Sequence, residues 1–148
     1  MTDHNIYGTG DSLVLIHGAL VSRAMWQFQV VDFSKDYQVI TLDLPAHVNV
    51  QDMIGEYSIE ALAEYVVERL NRLNIRLAHI CGHSLGGMVA QQIAATYPER
   101  VKRLILAETA FGTRYSLWER ILSSFAKSFL QITLTVCLLI YRLSSMAH

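Results

Sequence analysis

Residues Ile80-Cys81-Gly82-His83-Ser84-Leu85-Gly86-Gly87 decide how this chain is read. They match GxSxG through Gly82, Ser84 and Gly86, a pattern that carries meaning when a strand precedes it and a helix follows. Both flanks are present. Arg76 to Cys81 reads as a strand, and Met88 to Tyr97 predicts a helix that Pro98 stops. A serine on so tight a turn adopts strained backbone angles, and glycines beside it let strand and helix approach without a clash. Its hydroxyl is then exposed. The NH of Leu85 opens the helix, where unpaired NH groups and the helix dipole favour a developing negative charge.

Alone, such a turn could simply join a strand to a helix. A second stretch, Leu13 to Leu20 (LVLIHGAL), argues otherwise. Its apolar run ends in His17 and Gly18, which leaves the NH of Ala19 free to face the same negative charge.

Working outward, LVLI from Leu13 reads as a strand buried on both faces, followed by a helical stretch around Met25 to Phe33. Tyr37 to Asp43 (YQVITLD) is rich in β-branched residues and leaves its strand at Pro45. Ser58 suits the N-cap of a helix whose Ile59, Leu62, Ala63, Val66, Val67, Leu70 and Leu73 share one face. Val101 to Ala107 supplies a fourth strand. Strands alternating with helices of this length assemble through right-handed crossovers, so the expected class is α/β, a parallel sheet with helices on both faces. Gly8, Thr9 and Gly10 precede a strand instead of following one, which removes them as a dinucleotide loop.

Beyond Glu108 the alternation stops. Ser116 and Glu119 form a capping-box signature, and Leu117, Ile121, Leu122, Phe125 and Phe129 lie on one helical face. Leu130 to Leu138 fits a half-buried strand as well as a continuing helix. The expected division is a core over residues 1–113 and a lid-like helical segment with an apolar tail over 114–148. The window Ile121 to Tyr141 has Lys127 as its only charge and is long enough to span a bilayer, but its Ser, Thr and Gln weigh against a membrane segment.

The 148 residues, 52% of them hydrophobic, suffice for the core of one domain or part of one, and the mean hydropathy is +0.28. Twelve basic and 13 acidic residues are scattered without a basic stripe, which argues against nucleic acid as a partner. Cys81 and Cys137 lie in apolar surroundings and read as small hydrophobes. Six histidines without ligand-like spacing point to no metal, and no cofactor is expected. Asp3 and His4 open the chain where a leader would be basic and then apolar, so a cytoplasmic location is the expectation.

Strand-His17-Gly18, the strand ending at Asp43-Leu44-Pro45, Gly82 to Gly87, and ATYPERVKRLILAET from Ala95 to Thr109 together resemble the α/β-hydrolase superfamily over residues 8 to 113. That resemblance implies Ser84 as nucleophile and the NH groups of Leu85 and Ala19 as oxyanion donors. Gly82, His83, Gly86, His17 and Gly18 would support the turns. A serine at the elbow is similar to esterases, lipases, thioesterases and C–C bond hydrolases and unlike the haloalkane dehalogenase branch, so acyl transfer to water is implied. The chain departs from its relatives at Ala46, His47, Val48 and Asn49, where a glycine usually follows the proline.

In that family the order is Ser, acid, His. Among Glu99, Glu108 and Glu119, only Glu108 ends a predicted strand, and His148 is the one later histidine. Nothing follows His148 to hold its ring. A second reading therefore stands beside the first: the front half of a hydrolase, lacking acid and base and acting, if at all, by binding a partner. The strand Val101 to Ala107 would then be an open edge, and self-association is expected.

Overall fold

The computed structural model describes residues 3–45 and 58–110, all within the first of two units, Met1–Phe111 and Gly112–His148. The loop at Ala46 to Asn49, the Ser116 and Glu119 box, the Leu130 to Leu138 stretch, the Ile121 to Tyr141 window, Cys137 and His148 lie outside the described residues.

Strand β1 (His4–Tyr7) leads into β2 (Asp11–Ile16), then a 3-10 turn at Arg23–Trp26 runs into helix α1 (Gln27–Phe33). Strand β3 (Tyr37–Leu42) follows, then helix α2 (Ile59–Arg72), strand β4 (Ala78–His83), helix α3 (Leu85–Thr96), a second 3-10 turn at Pro98–Arg100, and strand β5 (Val101–Ala107). The sheet order is β1-β3-β2-β4-β5. The four later strands are mutually parallel, and β1 closes one edge antiparallel to β3, with His4 opposite Leu42 and Tyr7 opposite Val39.

Alternation along the strands sends side chains to two separate cores. Val14, Ile16, Ile40, Leu42 and Ile80 meet Leu62, Val66 and Leu70 of α2 and Val89 and Ile93 of α3 on one face. Leu13, Leu15, Val39 and Cys81 meet Trp26, Met25 and Val30 on the other. Helices on both faces of a mixed sheet are thus what the chain builds, parallel from β2 to β5 as expected but closed at one edge by the antiparallel β1. Helix α2 starts where Ser58 caps it, the Ser58 hydroxyl accepting from the Ala61 NH at 3.1 Å. Burial pushes the Cys81 thiol up from its ordinary pKa, in keeping with a packing role.

Three details differ from the sequence reading. Strand β1 had no counterpart in it. Strand β4 runs to His83, and α3 begins at Leu85 instead of Met88, so the connection between them is Ser84 alone. No described helix is long and apolar enough to cross a membrane.

The register aligns the carboxyl ends of the strands: Ile16 lies opposite Leu42 on one side and Gly82 on the other. His17, Asp43 and Ser84 therefore emerge along one edge of the sheet, where parallel α/β folds place ligands.

Candidate active site

Ser84 holds φ 50° and ψ −115°, a region non-glycine residues avoid, at a cost on the order of 1–3 kcal/mol. Its surroundings supply the restraint. The Ser84 NH donates to the Ala107 carbonyl at 3.0 Å. Its own carbonyl accepts from the NH of Gly87 at 3.0 Å, the NH of Met88 at 3.2 Å and the Thr109 hydroxyl at 2.7 Å. The glycines matter for closeness. A Cβ on Gly82 would stand 2.1 Å from the Gly86 carbonyl oxygen, and one on Gly87 would stand 2.5 Å from the Thr109 Cβ.

The loop after β2 faces this bend directly. A Cβ on Gly18 would lie 2.8 Å from His83 Nδ1 and 3.3 Å from the Ser84 Cβ. His17 fixes the loop from inside the protein. Its ring is fully buried, and the Leu44 NH donates to Nε2 at 3.0 Å. That bond requires a lone pair on Nε2, so the proton sits on Nδ1 and is donated to the Gly18 carbonyl at 2.7 Å. Both ring nitrogens serve the backbone. Asp43 ties the far end of the loop, accepting from the Arg23 NH at 2.8 Å and pairing with the Arg23 guanidinium at 3.2 Å. Leu20, at φ 62°, turns the chain between these anchors.

Leu85 is the first residue of α3, so its NH has no acceptor within the helix. Neither it nor the Ala19 NH donates to a carbonyl elsewhere among the described residues. Leu85 follows Ser84 directly, and Ala19 follows Gly18, which closes on the bend.

His83 points elsewhere: its Nε2 lies 3.7 Å from a carboxylate oxygen of Glu108, and its Nδ1 is buried without a hydrogen bond. Glu108 sits just past β5 at φ 46°, with its side chain 80% exposed. Sequence reasoning brought Ser84, Leu85, Ala19, Gly82, His83, Gly86, His17 and Gly18 to one place, and the structure gathers them there. It also places Glu108 at that edge, beside His83. Thr109 and the Arg23 to Asp43 pairing were missed, because both depend on long-range contacts that no local pattern announces.

The alpha/beta hydrolase fold family matches residues 11–134. The chain is 29% identical over 115 residues to the (E)-2-((N-methylformamido)methylene)succinate hydrolase of Acinetobacter baylyi, covering 78% of this chain and 44% of the relative. It is 34% identical over 106 residues to 3-oxoadipate enol-lactonase 2 of the same organism, covering 70% and 40%. The crystal structure of the enol-lactonase from Burkholderia xenovorans LB400 superposes with a TM-score of 0.69 at 31% identity, over 72% of this chain and 43% of that one. The chain thus spans less than half the length of these relatives. With the elbow, the loop facing it and the sheet order all in agreement with that match, this chain belongs to the α/β-hydrolase fold family.

Proposed function

We propose that this chain carries the nucleophile and oxyanion site of a serine hydrolase acting on esters, thioesters or related acyl substrates. The observation that carries the reading is the close approach of Gly18 to Ser84, which sets the loop bearing the Ala19 NH against the bend bearing the Leu85 NH. In this reading the Ser84 oxygen attacks the acyl carbon and its proton passes to a general base. The carbonyl oxygen takes the negative charge and is held by the Leu85 and Ala19 amides. Collapse expels the alcohol or thiol, which regains the proton, and water then releases the acid from Ser84. Two relatives are named as enol-lactonases, and a lactone is an internal ester, which agrees with an acyl substrate.

The acid and base that chain order leaves are Glu108 and His148. A second reading is favoured by the share of the relatives' length that the chain spans, which is less than half. It is a hydrolase-like protein whose acid and base are not supplied by these 148 residues. An oxyanion site without its triad retains only roughly 10³- to 10⁴-fold over water.

Labelling of the full chain with a fluorophosphonate separates the two. The first reading expects rapid labelling that Ser84→Ala abolishes, together with turnover of p-nitrophenyl esters. No label dependent on Ser84 would sink it. Absence of turnover that returns when the carboxyl-terminal half of a relative is added in trans is the outcome the second reading expects.

A further inference from the structure

The segment leaving β5 grips Ser84 on both of its peptide groups. The Ala107 carbonyl takes the Ser84 NH at 3.0 Å, and two residues later the Thr109 hydroxyl donates to the Ser84 carbonyl at 2.7 Å. Between them Glu108 turns through φ 46°, which sends its side chain outward and returns Thr109 toward the bend. The Thr109 side chain rests on Gly87 so closely that any Cβ there would fall within 2.5–2.7 Å of its Cβ, Oγ1 and Cγ2. The grip is itself anchored. Gln91 of α3 donates from Nε2 to the Ala110 carbonyl at 2.9 Å and to the Gly87 carbonyl at 3.2 Å, joining the segment to the helix that Ser84 begins.

From this we infer that Thr109 is a positioning residue for Ser84. The Ser84 peptide must hold an orientation that non-glycine backbones disfavour. The NH groups of Gly87 and Met88 belong to the helix and approach the Ser84 carbonyl from the helix side only. Thr109 supplies a donor from outside the helix, so the carbonyl is pinned from two directions and ψ is fixed. Fixing ψ sets the angle between the Ser84 side chain and the Leu85 NH that follows it. The inference rests on the reading of Ser84 as nucleophile for its effect on reactivity, but not for its effect on geometry.

Thr109→Val removes the hydroxyl and keeps the shape, whereas Thr109→Ser keeps the hydroxyl. In the full chain, Thr109→Val is expected to slow fluorophosphonate labelling of Ser84 by roughly 10- to 100-fold, the scale of a small misplacement of a reacting group. Thr109→Ser should restore most of that rate, and both variants should melt within a few degrees of the parent. A crystal structure of Thr109→Val should show Ser84 in more than one backbone conformation, a readout that holds whether or not Ser84 reacts. Unlabelled parent protein with a displaced Ser84 in the variant would count against the hydrolase reading alone. A Ser84 carbonyl unmoved in Thr109→Val, with ψ still near −115°, or equal losses in Thr109→Val and Thr109→Ser, would overturn the positioning role.

Discussion

Gly86 lies so close to Ile16 that a Cβ on it would stand 2.3 Å from the Ile16 carbonyl oxygen, and 2.5 Å from that of His17. This contact seats the first turn of α3 on the end of β2, and so brings the loop after β2 to Ser84. Backbone oxygen cannot swing aside as a flexible side chain can. Gly86→Ala is therefore expected to force helix and strand apart, at about 3 kcal/mol or more in denaturant unfolding. Unfolding within 0.5 kcal/mol of the parent would show that the approach is not obligatory.

Ser84 itself is expected to be a stability defect. Its hydroxyl has no partner among the described residues, and its φ of 50° with ψ of −115° suits glycine. Ser84→Gly relieves a strain of roughly 1–3 kcal/mol and adds back about 0.5–1 kcal/mol of unfolded-state freedom. A net gain of about 1 kcal/mol in unfolding free energy is expected, with loss of fluorophosphonate labelling. A variant less stable than the parent would mean the bend is not strained.

His17 holds two backbone groups with one buried ring. Replacing it with Phe fills the space but leaves the Leu44 NH and the Gly18 carbonyl without the partners they now have at 3.0 and 2.7 Å. Each such loss costs roughly 1–3 kcal/mol, so His17→Phe should destabilise by about 2–6 kcal/mol in urea unfolding. A neutral result would indicate that the loop repacks around other donors.

The elbow was legible because its chemistry is local. Gly82, Gly86 and Gly87 are what so close an approach of strand and helix demands, because a Cβ on any of them would stand 2.1–2.5 Å from a neighbouring atom. The alternating cores were legible from Leu13 to Ile16 and from Tyr37 to Asp43, since burial on both faces leaves continuous apolar runs. Strand β1 was hidden because it is four residues long, with Ile6 and Tyr7 exposed, and its identity comes from pairing with β3. The start of α3 was placed too late because Gly86 and Gly87 are poor helix formers, and packing against β2 and Thr109 overrides that preference. Thr109 closes a stretch that carries the family resemblance, but its role has no sequence signal: it exists only once β5 returns beside Ser84.

Strand β1 is fastened through Asp3, and the fastening should depend on pH. The Asp3 carboxylate accepts from the Tyr65 hydroxyl at 2.6 Å, pairs with Arg69 at 2.5 Å and bonds His4 Nδ1 at 2.8 Å. Burial alone would raise its pKa, but the bonds from Tyr65 and His4 and the charge of Arg69 outweigh that and hold it below its ordinary 3.8. A lowered folded pKa adds stability that is complete above the unfolded value and is lost as pH falls through the folded one. Asp3→Asn is expected to cost about 1 kcal/mol at pH 7, the scale of a partly screened pair. The difference from the parent should shrink below pH 3.8 and vanish once Asp3 is protonated. A difference that stays constant between pH 7 and pH 2 would assign the loss to shape and not to charge.

At the opposite edge of the sheet, β5 pairs only with β4 among the described residues, and Leu104, Ile105 and Leu106 are exposed along it. An apolar strand with a free row of NH and carbonyl groups is a template for another strand. Beside it a cleft of about 200 Å³ opens between Leu13, Leu15, Phe33, Cys81 and Ile105, so the adjoining sheet face is apolar too. Of the two cations on the strand, Lys102 is drawn away to Asp11 at 2.5 Å, and Arg103 is the other. Self-association is therefore expected at roughly 10–100 µM, the range in which exposed strand edges meet. Sedimentation velocity should show species heavier than the 16.7 kDa chain, and Ile105→Lys should shift them toward the monomer by placing a charge on the pairing edge. A parent protein that sediments as a stable monomer throughout that range would show that this edge does not bind a second copy.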